Sequence, residues 1–412
     1  MLKSEGVATH MDLSATDEIA VLAGSLSKTI ASNPLPIFSD LVCDFLSKLS
    51  SELLSAKEIK TNADVAAFAF WCRKSNISKM KLEYLAEGSR IGLGTALHIA
   101  PGNVPVNFAY SFAFALLAGN SNIVRVPSRE YKQVDFILET IKKVSEANEY
   151  KVILDMNCFV RFSHDRKITE EILKYCQLRI LWGGDSTIRE MRMIQAPPYC
   201  REIVFPNRYS IAILSAAEIC ALSDVDLQKE VRKFYNDSYL FDQNACSSAR
   251  LVAWIGDHAV INKAQVRFWD ELYSVSMSKY QIDDVEFMNK YTDLCEFIAT
   301  TKGLVEVQRH GNYIYRIKMD KNLLDVDTMA NKYGTFIEVK ALILDELKEI
   351  VSVKIQTVVY YGLNSAEILD FVFRNGLKGI DRIVPLGLAL EMDKTWDGYD
   401  LPLTMSRKID VK

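Results

Sequence analysis

From about residue 91 onward the chain alternates short apolar runs with amphipathic stretches, and no other feature restricts its fold as strongly. GTALHIAPGNVP (94–105) is an apolar run closed by a Pro-Gly-Asn-Val-Pro turn. SFAFALLAGN (111–120) reads as a buried helix stopped by Gly119-Asn120. SNIVRVPS (121–128) is strand-like, and KQVDFILETIKKVSEA (132–147) has the three- and four-residue apolar spacing of an amphipathic helix. CFVRFS (158–163), ITEEILKYC (168–176), LRILWGGDS (178–186) and STIREMRMI (186–194) continue as strand, helix, strand and helix. Such alternation predicts βαβ units and a parallel sheet, with ligands bound beyond the carboxyl ends of the strands. The turns at 101–105, 127–130 and 183–186 fall at that edge.

The flanks read differently. Residues 1–90 are mostly helical in pattern, with DLVCDFLSKLSSELLS (40–55) and DVAAFAFWCRKS (64–75) the clearest stretches and no convincing β-alternation. A second mixed region begins near 206 with RYSIAILS (208–215), CSSARLVAWIG (246–256) and VVYYGL (358–363). The expected organisation is a helical segment over 1–90, a nucleotide-binding domain over 91–205, a catalytic domain over 206–375 and a C-terminal segment over 376–412. That last segment is expected to pack on the core or to form an oligomer contact. The chain has 412 residues, enough for several domains. Its net charge of −4 gives no reason to expect nucleic acid. No apolar run reaches the length of a membrane span, and the N-terminus lacks the apolar core of a secretory signal. The eight cysteines are scattered without a CxxC, and histidines number five, so no metal site is expected. Cysteines so placed predict reduced thiols and a cytoplasmic location.

One cysteine differs from the rest. Cys246 lies in Phe241-Asp242-Gln243-Asn244-Ala245-Cys246-Ser247-Ser248, a small polar stretch before the apolar strand LVAWI. A thiol on such a turn is open to substrate and flanked by backbone N–H groups that favour a thiolate. The residues alone also allow a small buried side chain in a loop. Thiol chemistry on a carbonyl needs an oxyanion donor, and Asn103 in its rigid turn offers an amide; it is equally a plain turn asparagine. Gly183-Gly184-Asp185 precedes a helix whose N-terminus can hold a pyrophosphate, although Asp185 is also an ordinary cap. Arg125, Ser128 and Arg129 can grip a ribose 2′-phosphate, or form a solvated basic turn.

Taken together, HIAPGNVPVNF (98–108), LLAGNSNIVRVPS (116–128), LWGGDSTIREMR (181–192), FDQNACSSAR (241–250) and GIDRIVPLGLALEMDKTWDGY (379–399) resemble the long-chain fatty acid (acyl-CoA) reductases of bacterial bioluminescence operons, a branch of the aldehyde dehydrogenase superfamily. The resemblance implies an α/β aldehyde-dehydrogenase-like fold, with a Rossmann-type nucleotide-binding domain and an α/β catalytic domain. It implies Cys246 as the acylated nucleophile, Asn103 as the oxyanion-hole amide, and Gly183, Gly184 and Asp185 as the turn under the cofactor phosphates. Arg125 falls where ordinary aldehyde dehydrogenases carry a lysine near the adenosine ribose, which with Ser128 and Arg129 implies NADPH. The implied substrate is acyl-CoA or an acyl-protein, presented by an acyl-protein synthetase, and the implied assembly is a homo-oligomer.

Ordinary aldehyde dehydrogenases also carry a water-activating glutamate a few dozen residues before the cysteine. The comparable stretch here, Phe205–Ala212, has none, and Glu202, just before it, is the remaining candidate for that role. An acyl-enzyme without that base survives long enough to meet hydride, which favours reduction of a thioester over oxidation of an aldehyde. Competing expectations are an aldehyde dehydrogenase in the oxidising direction, CoA-acylating or not, a cysteine acyltransferase or thioesterase without nicotinamide, and a non-catalytic scaffold subunit.

Overall fold

The computed structural model describes residues 19–102, 104–163, 166–325, 327 and 331–412. They form two compact units: the first runs to Pro206 and adds Tyr399–Lys412, and the second is Asn207–Gly398.

The first unit is built on a six-stranded sheet. Its strands are β1 (Ala20–Ala23), β3 (Thr95–Ile99), β4 (Ser121–Arg125), β5 (Asn157–Arg161), β6 (Leu178–Trp182) and β7 (Arg201–Phe205); β2 (Arg90–Gly92) lies outside it. The order is β1-β5-β4-β3-β6-β7, parallel except for β1 on β5. Every residue of β3, β4 and β6 is buried. Helices on both faces of a parallel sheet cause this, and the polar residues enclosed with the apolar ones, such as His98, Asn122 and Arg179, are hydrogen-bonded inside. Helix α5 (Asn107–Leu117) returns β3 to β4, and α6 (Lys132–Ser145) leads towards β5 with Val134, Ile137, Leu138, Ile141 and Val144 buried along one face. After β5 the chain crosses β4 and β3 to form β6. The strand order therefore reverses between β3 and β6, which opens a crevice at their carboxyl ends.

Residues 19–90 supply α1 (Leu26–Ala31), α2 (Asp40–Ser55), α3 (Ala63–Trp71) and α4 (Lys74–Tyr84), as the apolar spacing predicts. They also supply β1, which the sequence did not suggest. The tail strand Ser406–Lys408 pairs antiparallel with β2. Arg90 donates from Nη2 to Leu403 O at 2.7 Å, and Asn120 Nδ2 donates to Met405 O at 2.8 Å.

The second unit holds β8 (Tyr209–Ser215), β9 (Ala249–Ile255), β10 (Leu304–His310), β11 (Ile314–Met319), β12 (Thr335–Ala341), β13 (Ile355–Tyr361) and β14 (Arg382–Pro385). Their order is β10-β11-β12-β9-β8-β13-β14, parallel apart from the β10–β11 hairpin. Side chains alternate across the sheet. Ala249, Val252 and Trp254 pack with Phe234 of α11 (Asp224–Tyr239) and Phe268 of α12 (His258–Lys279). Leu251 and Ala253 pack with Leu294 of α13 (Asp284–Thr300) and Phe371 of α14 (Ser365–Asn375). One carboxylate is buried among these apolar groups. Glu338, 1% exposed, accepts from Trp254 Nε1 (2.8 Å), Trp269 Nε1 (2.7 Å), Gln265 Nε2 (3.0 Å) and Arg316 Nε (2.8 Å).

Candidate active site

The candidate residues fall in two places, one in each unit. In the first unit the loops after β3 and β6 flank the strand-order reversal. Both contain a glycine whose Cα faces open space: at Gly102 and at Gly184 a Cβ would meet nothing within 4 Å. Gly184 caps α9 (Asp185–Arg192) and Asp185 is its first residue. A bare backbone at a helix N-terminus beside a strand crossover suits a pyrophosphate. The Asp185 carboxylate in the first turn interacts well with the helix dipole, but it would repel a phosphate placed against it. Gly183 packs more closely, since a Cβ there would meet Thr187 at 3.2 Å.

The basic residues after β4 are not equivalent. Arg125 is 5% exposed; Nε and Nη2 donate to Phe162 O at 3.2 and 3.1 Å, and Nη2 also reaches Ser128 Oγ at 3.3 Å. Its guanidinium braces the loop after β4 against the end of β5. Arg129 is exposed and lies 5.3 Å from the Tyr131 ring centroid, and the Tyr131 hydroxyl donates to Gly102 O at 2.6 Å. Ser128 is exposed beside it. Asn103 lies outside the described residues. Glu202, on β7, is clamped between Arg179 and Arg192, the latter donating from Nε at 2.8 Å. That double ion pair gives Glu202 a structural use within the first unit.

In the second unit Cys246 sits on the turn that leads into β9, at the amino-terminal edge of the sheet. The turn begins with two non-glycine residues in the left-handed region, Asp242 (φ 53°) and Gln243 (φ 61°). Such backbone persists only where the surroundings over-determine it. Gln243 is fully buried; its Nε2 donates to Ala249 O and Thr335 O at 2.9 and 3.1 Å, and its Oε1 accepts from the N–H of Gly334 and Thr335 at 2.9 and 3.2 Å. Asp242 Oδ1 accepts from the Tyr280 hydroxyl at 2.8 Å. At the other end, Ser248 Oγ donates to Asp237 O at 2.7 Å, and Ser210 Oγ donates to Cys246 O at 2.8 Å.

Cys246 is half-buried, and the groups around it come from distant parts of the sequence. The Gln356 amide and the Cys246 backbone N–H donate towards the sulfur, and Arg208 adds positive charge. Burial and then the nearby Asp397 carboxylate outweigh them and push the thiol up to about 12. The backbone N–H favours a thiolate in the expected direction, but burial outweighs it and the net shift of the thiol is upward. Arg250, 5% exposed and stacked 6.0 Å from the Tyr209 ring centroid, is a further buried cation next to the turn. Gln356 and Arg208 were not singled out from the sequence, and Asp397 was expected only at an oligomer contact or in core packing; each lies at the same sheet edge, before or at the start of a strand or on the loop beyond β14.

A family model for acyl-CoA reductase (LuxC) matches residues 86–404, more than half of the chain and across both units. The chain belongs to the acyl-CoA reductase (LuxC) family. It is 23% identical over 305 residues to the long-chain acyl-protein thioester reductase of Aliivibrio fischeri, covering 72% of this chain and 58% of that one. Against the Vibrio harveyi protein of the same description, identity is 21% over 312 residues, covering 72% and 59%. The chain thus spans under two thirds of the length of these LuxC relatives. Among solved structures it is similar to aldehyde dehydrogenase 21 of Physcomitrella patens in complex with succinate, with TM-score 0.64, 11% identity and coverage of 93% and 88%. It is likewise similar to the glyceraldehyde-3-phosphate dehydrogenase GapN of Methanocaldococcus jannaschii complexed with NADP, with TM-score 0.60, 14% identity and coverage of 89% and 88%. The aldehyde-dehydrogenase-like α/β fold expected from the sequence is the fold observed. Among the described residues of this LuxC-family chain, no helix is long and apolar enough to cross a membrane, and no three His, Cys, Asp or Glu side chains are grouped to hold a metal.

Proposed function

We propose that the chain reduces an acyl thioester to an aldehyde, with Cys246 as the acyl carrier and NADPH as the reductant. The observation that supports this most is the Cys246 turn itself: a sulfur at the head of β9, on backbone locked by Gln243, with an amide donor and its own N–H towards it and the positive charge of Arg208 nearby. The sulfur attacks the carbonyl of an acyl-CoA or acyl-protein, the bond from the carbonyl carbon to the carrier sulfur breaks, and the carrier leaves as a thiol with the proton that Cys246 gives up. The Cys246 N–H and the Asn103 amide stabilise the oxyanion of the addition step. Ser128, Arg129, Gly183 and Gly184 would hold the cofactor, with Arg125 and Asp185 fixing the turns they lie on. NADPH, when bound, would supply the hydride that releases the acyl group from Cys246 as aldehyde, and the sulfur that leaves takes a proton from solvent to return to the free thiol. Phe205–Ala212 contributes a cation, Arg208, to the thiol's surroundings and no glutamate, which supports reductive release over hydrolysis. Where the acyl group arrives on a protein, a partner acyl-protein synthetase presents it, and the reductase works as a cytoplasmic homo-oligomer.

The test is mass spectrometry of the intact chain after incubation with mixed acyl-CoAs. An acyl adduct is expected on Cys246, and Cys246→Ala is expected to lose both the adduct and aldehyde formation with NADPH. Aldehyde made by that variant at the wild-type rate would remove Cys246 from the reaction. Asn103→Ala is expected to slow turnover by about 100-fold. Faster turnover of aldehyde with NADP than of acyl-CoA with NADPH would replace this reading with the oxidising one.

A further inference from the structure

A run of polar side chains leads away from the Cys246 sulfur. Gln356, on β13, is 1% exposed and donates from its amide both towards the sulfur and to Asp397 Oδ1. Its Oε1 accepts from Thr357 Oγ1 at 3.3 Å, so the amide is fixed with its N–H groups towards the carboxylate and the thiol. Asp397 has a left-handed backbone (φ 48°), and its side chain is 4% exposed. Arg208 Nη1 lies 3.6 Å from Asp397 Oδ1 and pairs with Asp381, while Nη2 donates to Ile355 O at 2.9 Å.

We infer that Arg208, Asp397 and Gln356 act as positioning residues for Cys246, fixing where its sulfur points and how readily it gives up its proton. Gln356 has two amide protons. Asp397 takes one and so aims the other at the sulfur. Arg208 holds Asp397 in place from the far side, and Asp381 draws off part of its charge. The charged groups around the sulfur oppose one another: Asp397 disfavours a thiolate, while Arg208, Arg250 and Arg382 favour it. Neutralising Asp397 therefore frees the thiolate, and adding a carboxylate at position 356 suppresses it. An inert structural scaffold would not give opposite signs at two neighbouring positions.

The inference rests on Cys246 being the reactive thiol, yet its test needs neither substrate nor nucleotide, so it can fail while the acyl-enzyme reading stands, and the reverse. The full chain is alkylated with iodoacetamide from pH 7 to 10, and Cys246 is followed by peptide mass spectrometry apart from the other cysteines. Asp397→Asn keeps the shape and an acceptor for Gln356. A midpoint about one unit lower gives about tenfold more thiolate, which its weaker nucleophilicity reduces to about threefold faster alkylation at pH 8. Gln356→Glu and Gln356→Leu are expected to slow alkylation at the same pH. Arg208→Gln is expected to do the same. Wild-type rates in Asp397→Asn and Gln356→Glu, with unchanged circular dichroism, would overturn the inference. If Asp397→Asn does not fold, Gln356→Leu and Gln356→Glu decide it, and wild-type rates in both overturn it.

Discussion

His98, fully buried on β3, shows how far one side chain's surroundings fix its chemistry. Asn122 donates through Nδ2 to Asn157 Oδ1 at 2.7 Å, so its Oδ1 is left to accept from His98 Nε2 at 3.0 Å. His98 Nδ1 then accepts from Ser111 Oγ at 2.8 Å, and burial holds the neutral imidazole down to about pH 4 instead of 6.5. Between those values the unfolded chain binds more protons than the folded one. Stability is therefore intact above 6.5 and is lost as pH falls towards 4, by about 3 kcal/mol in total. Urea unfolding of wild type and His98→Phe should show their difference in stability shifting in favour of the variant by about that amount from pH 7 to pH 4; a pH-independent difference would contradict it. Glu338 is the counterpart in the second unit. Replacing it by Leu leaves Arg316, 4% exposed, as an unpaired buried charge, with an expected loss of about 3–5 kcal/mol in urea melts. Cys246 was legible from its neighbours because a polar string before an apolar strand is a local signal. Arg208, Gln356 and Asp397 were not, because only the pairing of β9, β8, β13 and β14 brings the starts of β8 and β13 and the loop beyond β14 to the edge where Cys246 sits.

Elements were legible where burial imposes a pattern. The runs that gave β3, β4 and β6 are enclosed on both faces, and α6 shows its apolar stripe. β1 escaped notice for a physical reason: its four residues run from exposed to buried without alternating, and it exists through its antiparallel pairing with β5. The turn over 242–248 was legible as a turn but not as a strained one, since left-handed glutamine and aspartate residues leave no trace in composition. Gln243→Ala keeps the unfavourable φ and removes all four bonds that hold it. It is expected to destabilise the second unit by about 2–4 kcal/mol and to raise hydrogen exchange in β9 and β12. Exchange unchanged there would show that the turn is held by something other than Gln243.

At the scale of the whole molecule, the first unit depends on residues remote from it in sequence. Besides Arg90 and Asn120, Arg201 Nη1 donates to Ser406 O at 3.0 Å, and the Tyr84 hydroxyl reaches the Asp400 carboxylate at 3.0 Å. Deleting residues 399–412 is expected to lower the thermal midpoint of the first unit and to expose the amides of β2 and α5 to exchange. Equal protection in the shortened chain would refute it. A sequence reading that treats the last residues as one segment misses this division, because no composition change marks Gly398–Tyr399. The division also imposes an order of events on biosynthesis. Residues 207–398 are all synthesised before Leu403 and Met405, the partners of Arg90 and Asn120, exist. All six strands of the first unit's sheet precede the second unit, but β2 lacks its partner strand and Arg90, Asn120 and Arg201 lack their partners in the tail while residues 207–398 are synthesised, so that half of the nascent chain is open to chaperones and proteases for longer than the thiol-bearing half.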